Sequence, residues 1–261
     1  TYTVGGTVAG LAAGNSVVLR NNGGNDLNVA ANGAFTFTTP VADGAAYAVT
    51  VFTQPTTPSQ TCIVTNGSGN IAGANVVNVA VACTTNTYTV GGTVSGLAPG
   101  NDVLLRNNGG NDLGVFGNGA FNFSAALADQ SAYAVTVFTQ PTTPNQTCAV
   151  TNGSGNLNGA NVTNVTVVCT TTTYTVGGTV SGLATGNNVV LRNNGGNDLN
   201  VAANGAFTFT TPVADGAAYL VTVLTQPTTP NQTCVVSNGS GNLAGANVSN
   251  VTVVCTTTTY T

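Results

Sequence analysis

The sequence contains no lysine, no glutamate, no histidine, no methionine and no tryptophan. Each absence removes a class of function. Without histidine there is no imidazole base for a serine or cysteine nucleophile. Without lysine there is no Schiff-base chemistry. The three arginines, Arg20, Arg106 and Arg192, are spread 86 residues apart. They cannot form the clustered positive surface that neutralises phosphates, so no nucleic acid is expected as a partner. No apolar run approaches the length of a membrane span, and none is expected in this segment. The chain does not start with methionine or a leader, so any targeting segment is expected outside it. A net charge of −4 beside 42% hydrophobic residues is unlike a disordered chain, which is apolar-poor and highly charged.

What is present is repetition. Tyr2, Tyr88, Tyr174 and Tyr260 each follow a threonine at intervals of 86 residues. LRNNGGNDL occurs three times, from Leu19, Leu105 and Leu191. A long period kept without insertion or deletion marks an array of similar modules. It predicts three domains, 1–86, 87–172 and 173–258, with 259–261 as the start of a further repeat. A module of this length sits at the small end of what folds alone, where a covalent staple is often needed.

Within the first repeat the pattern predicts seven short strands. Tyr2, Val4, Gly6 and Val8 alternate with polar or small residues. Val17 and Leu19 oppose Val18 and Arg20, and Asn22-Gly23-Gly24-Asn25 supplies a turn. Leu27 and Val29 follow, then Asn32-Gly33 reads as a hairpin turn leading to Phe35 and Phe37. Tyr47, Val49 and Val51 form a fifth strand, broken by the Gln54–Pro58 segment. Cys62 and Val64 form a sixth. After a polar loop, Asn66 to Asn75, Val77, Val79, Val81 and Cys83 form the last. No window shows helical periodicity. The expected fold is all-β, three tandem seven-stranded Ig-like sandwiches joined end to end.

The junctions contain neither glycine nor proline. Thr84, Thr85, Thr87 and Tyr88 carry the first crossing, and Thr170, Thr171, Thr172, Thr173 and Tyr174 the second. Threonine is β-branched and favours extended backbone. The last strand of one module is therefore expected to run almost directly into the next. Cys83 and Tyr88 are an odd number of residues apart and would face opposite sides of a straight strand. Either successive modules are rotated by a large angle or a bulge interrupts the threonine run.

The six cysteines fall as Cys62/Cys83, Cys148/Cys169 and Cys234/Cys255, always 21 residues apart. Of the 15 connectivities open to six cysteines, pairing within each module is the simplest. If Cys62 opposes Cys83 in an antiparallel pair, Val64 opposes Val81, which puts cysteine and valine on one inward face. Such a bond closes a loop worth on the order of 3 kcal/mol and implies an oxidising compartment. Buried free thiols and bridges between modules are the alternatives. With no histidine and no C-x-x-C spacing, zinc is not expected.

The remaining chemistry is sparse. Asp26 and Asp43 are a repeated carboxylate pair, with Asp112/Asp129 and Asp198/Asp215, and a glycosidase would need two such groups. Three identical sites in tandem without an aromatic platform argue against it, and no enzyme is expected. Arg20 pairs with Asp26 across the turn, or lies near Asp43; Arg106 with Asp112 and Arg192 with Asp198 repeat the first arrangement. Oxygens of Asn25, Asp26 and Asp43 are conceivable calcium ligands, but the spacing of a calcium loop is lacking and no cofactor is expected. Asn66, Asn152 and Asn238 head glycosylation sequons, and the Thr256–Thr259 run offers O-linked positions.

The run Tyr-Thr-Val-Gly-Gly-Thr-Val, then Asn-Gly-Ala-Phe-Thr-Phe, then Gly-Ala-Ala-Tyr-Ala-Val-Thr-Val resembles the prealbumin-like sandwich repeats of bacterial surface proteins. These include collagen-adhesin B-type and carboxypeptidase regulatory-like modules. A closer similarity is to long tandem Ig-like arrays of secreted proteobacterial proteins. The resemblance implies a stalk, fibre or adhesin at the cell surface, with copies of itself as partners, end to end and laterally. Many such modules in pilins are locked by a Lys–Asn isopeptide bond. This chain has no lysine, and its cysteine pair takes the stapling role. Two other functions fit the pattern: a multivalent adhesin that grips a glycan or surface protein, and a subunit that polymerises by donating an end strand.

Overall fold

The computed structural model describes residues 1–258; the expected start of a further repeat, 259–261, lies outside them. In the first unit the strands are β1 (Val4–Ala9), β2 (Val17–Asn21), β3 (Asn25–Val29), β4 (Gly33–Thr36), β5 (Ala46–Thr53), β6 (Gln60–Thr65), β7 (Ser68–Asn70) and β8 (Val76–Thr85). They form two four-stranded sheets, ordered β4-β1-β8-β6 and β3-β2-β5-β7. The same two sheets recur twice along the chain. No helix occurs among the described residues.

The inward positions are those the alternation marks. Val4, Leu19, Phe37, Val49 and Val81 are buried between the sheets, with Phe35 and Phe37 edge to face at 5.8 Å. Each such side chain contributes roughly 1.5–3 kcal/mol on leaving water. Each of the three units has its own core of this kind. The β2–β3 hairpin turns through Asn22 at φ 50° and Gly23 at φ 75°. Positive φ at both central residues is the turn whose twist matches the flanking strands.

Gly6 is required for another reason. Its strand runs parallel to β8, and a Cβ there would collide with the carbonyl oxygen of Val79. The backbones of β1 and β8 approach closely only because no side chain stands between them.

Three local expectations differ from the structure. Asn32-Gly33 is not a hairpin turn, because β3 and β4 lie in different sheets. The Asn32 side chain instead accepts from Leu11 N and donates to Leu11 O, both at 2.8 Å, pinning the crossover to the β1–β2 loop. The polar stretch after Asn66 contains β7, which pairs with β5 through Tyr47↔Gly69 and makes eight strands. Its Ser-Gly-Asn carries no apolar alternation, so nothing in composition marks it. Val77 is 75% exposed, whereas Val76 packs on the core. Val4 pairs with Val76 and Gly6 with Val79, so two residues of β8 oppose one of β1. That bulge reverses the facing of the strand's first residues.

Gln54, just after β5, covers the outer edge of β6. Its amide accepts from Cys62 N at 2.8 Å and donates to Cys62 O at 3.1 Å. The side chain thus behaves as one residue of an extra strand. Gln140 and Gln226 do the same in the other units.

Candidate functional site at the module junctions

The cysteines lie on β6 and β8 and on their counterparts. Cys62 opposes Cys83, and Val64 opposes Val81. Disulfides join Cys62–Cys83, Cys148–Cys169 and Cys234–Cys255. Each bond is buried in the core of its unit, a few residues before the junction that follows it.

Arg20 and Asp26 face each other across the β2–β3 pair. Arg20 donates from Nε to Oδ1 at 2.5 Å and from Nη2 to Oδ2 at 2.7 Å. Arg106–Asp112 and Arg192–Asp198 are built alike. The arginine holds each carboxyl below its usual range, chiefly through the side-chain hydrogen bond. Arg20 also lies 3.3 Å from the centroid of the Phe52 ring, and Arg106 3.4 Å from that of Phe138. These pairs are exposed on the outer face of the sheet, so they add little stability.

Asp43 takes no part in that pair. Its Oδ1 accepts from Gly73 N at 2.8 Å, and the residue is exposed. Among the described residues no group of three acidic, cysteine or histidine side chains is placed to hold a metal ion.

The counterparts of Asp43 behave differently, and they carry the site. Asp129 and Asp215 are buried. Asp129 Oδ1 accepts from Gly159 N in its own unit, and Oδ2 accepts from Ser59 N of the preceding unit at 2.6 Å. Asp215 repeats this with Gly245 N and with Asn145 N, the latter also at 2.6 Å. The Ser59 amide holds the Asp129 carboxyl below the usual range, against the opposing effect of burial, and the Asn145 amide does the same for Asp215.

Ser59 and Asn145 each follow a cis proline, Pro58 and Pro144. A buried pair of amides holds that turn in place. Asn15 donates to Pro58 O at 2.7 Å and to Gln60 Oε1 at 3.2 Å, and it accepts from Thr57 N. Gln60 donates to Gly10 O and accepts from Ala12 N. The turn that meets the next unit is thus fixed to the β1–β2 loop of its own.

The threonine run completes the junction. Thr84 and Thr85 are the last ladder residues of β8, opposite Thr61 and Gln60; Thr170 and Thr171 match them in the second unit. Thr87–Tyr88 and Thr173–Tyr174 are already strands of the following units, paired with Leu127–Ala128 and Val213–Ala214. A single residue lies between, Asn86 or Thr172. Asn86 donates its N–H to Ser59 O at 3.0 Å, and its carbonyl accepts from Asp129 N at 2.9 Å. Thr172 does the same between Asn145 O and Asp215 N. The Tyr88 hydroxyl shares a hydrogen bond with Ser59 Oγ at 3.0 Å, and Tyr174 accepts from Asn145 Nδ2 at 3.2 Å. A cleft between Pro144, Asn145, Asp215, Leu243 and Gly245 marks the second junction at the surface.

Ser59 and Asp129 and their counterparts Asn145 and Asp215 are absent from the junction as read in the sequence, which rests on the threonine run and the tyrosine after it; Thr172 lies within that run. The available signal was the repeated Gln-Pro-Thr-Thr-Pro segment, which reads as a strand breaker and not as one half of a contact.

The architecture can now be compared with solved structures. The fold is that of tandem prealbumin-like β-sandwich modules. The Bacillus anthracis TIE protein aligns over 98% of this chain and 50% of its own, with a TM-score of 0.54 at 11% identity. The chain thus spans half the length of that relative. Two B repeat units of the collagen binding protein of Staphylococcus aureus align over 98% of this chain and 75% of theirs, at 18% identity and a TM-score of 0.27. BcpA, the major pilin subunit of Bacillus cereus, aligns over 98% and 99%, at 10% identity and a TM-score of 0.29. No protein-family model matches the sequence, and no curated protein does.

Proposed function

We propose that the chain is a segment of a stiff extracellular stalk or fibre, built from modules 1–86, 87–172 and 173–258, whose work is to span distance and not to catalyse. The observation that carries this reading is the junction. One residue separates consecutive units, and both its N–H and its carbonyl are bonded to the units on either side. A flexible linker leaves such groups to water. The Asp129 and Asp215 carboxylates add a bond from each unit to the turn before it.

Further support comes from the three disulfides, which belong to an oxidising compartment such as the cell exterior, and from a surface with few charges to repel a neighbouring copy. A continuous chain is favoured over strand donation. The place beside Val41 where a donated Tyr-Thr segment would pair is bridged by the chain's own Tyr2.

Electron microscopy of native, unreduced material tests the reading. Thin filaments with an axial repeat of roughly 30–40 Å, one sandwich per step, are expected. Dispersed, flexible particles would overturn it and favour an adhesin whose loops bind a glycan or a surface protein.

A further inference from the structure

The first and last strands of the first unit, β1 and β8, are parallel neighbours in one sheet, paired as Val4↔Val76, Gly6↔Val79, Thr7↔Ala80, Val8↔Val81 and Ala9↔Ala82. The chain enters the unit at the start of β1 and leaves it at the end of β8. Tension applied through the two ends therefore pulls β1 and β8 in opposite directions along their own axes. The ladder bonds stand across that direction and are loaded together. If the two end strands formed an antiparallel hairpin, the same pull would open their bonds one at a time. The second strand bonded to β1, β4, lies along the same axis and is also sheared, through Gly5↔Thr36 to Val8↔Gly33. The same strand order holds in the second and third units.

The disulfide meets the load at a defined place. Cys83 lies near the exit of β8, two residues before Thr85, and is bonded to Cys62 on β6. Force entering from the C-terminal side meets only the Thr85 and Thr84 ladder pairs before it reaches Cys83, where it passes through sulfur to Cys62. Residues between the two cysteines close a covalent loop that tension cannot draw out.

We propose that each unit is a tension-bearing clamp, in which the parallel β1–β8 pair carries load in shear and the Cys62–Cys83 bond is a covalent stop. The clamp rests on strand order and disulfide position within one unit, and it stands whether or not the chain forms filaments. Its partner is mechanical: a load applied along the chain, as at a surface held against flow. When β1 yields, the unit lengthens from its entry to Cys62, while β7 and most of β6 and β8 stay within the closed loop.

Single-molecule force spectroscopy on the whole chain, held at its two ends, tests this. In the oxidised chain, extension is expected in discrete ruptures, one for each unit. Reduction is expected to lengthen each rupture by about 70 Å: 21 chain steps from one cysteine to the other at up to about 3.6 Å each, less the 3.9 Å between Cα atoms that the disulfide already spans. The double variant Cys148→Ser with Cys169→Ser is expected to lengthen one of the three ruptures and leave the others unchanged. If that variant fails to fold, the comparison of oxidised with reduced wild-type chain decides alone. Smooth yielding without discrete ruptures would overturn the shear clamp. Equal rupture lengths before and after reduction would overturn the covalent stop.

Discussion

Asp43, Asp129 and Asp215 are the same residue in three repeats, and the difference between them isolates what a junction adds. Asp43 bonds only within its own unit, whereas Asp129 and Asp215 also receive an amide from the unit before. Asp129→Asn places an amide group where a carboxylate accepted two N–H donors. It is expected to displace the Ser59 amide resonance and to loosen the first junction alone; Asp43→Asn is expected to leave both junctions as they are. Asp129 and Asp215 also set a pH dependence. Their carboxyls are held below the usual range in the folded chain, so the stabilisation is present above the unfolded value of about 3.9 and is lost as pH falls through the lower folded values. The junction amides of Ser59 and Asn145 are expected to keep their positions from neutral pH to about 4 and to shift together below that. Movement beginning near pH 6 would contradict the assignment.

At the scale of strands, close approach and edge protection decide the outcome. Gly6→Ala forces β1 away from Val79 and is expected to cost about 1–3 kcal/mol, the usual range for overpacking, in urea unfolding monitored by circular dichroism. Gln54→Ala uncovers the peptide groups of Cys62 at the sheet edge. An exposed edge is a template for another chain, so this variant is expected to self-associate in light scattering at concentrations where the parent does not. The alternation of Val17, Leu19, Phe35, Phe37, Tyr47 and Val49 was legible in the sequence, because facing on a strand has a period of two. The cysteine register was legible for the same reason: Cys62, Val64, Val81 and Cys83 have the parity of one inward face. The Val76–Val79 bulge, the β7 edge strand and the crossover at Asn32 were not. Each depends on which strand lies alongside, and neither periodicity nor turn chemistry contains that information. The junction carboxylates were illegible in a stronger sense, since Ser59 and Asp129 stand 70 residues apart in sequence and share no local pattern.

For the molecule as a whole, each unit carries the same covalent staple. The three disulfides close loops of the same separation, 21 residues, so reduction is expected to lower the stability of each unit by a similar amount, on the order of 3 kcal/mol. A calorimetric scan should show the transition moving down without splitting into widely spaced steps. The residue at each crossing, Asn86 or Thr172, has a further consequence. Because its two peptide groups are committed to opposite neighbours, adding or removing one residue there would shift one bond relative to the other and rotate a side chain to the wrong face. Length can therefore be changed without disturbing a junction by duplication or loss of an entire repeat. Reach becomes a quantity inherited in whole steps, and an organism could adjust it by copy number alone, without altering a single contact.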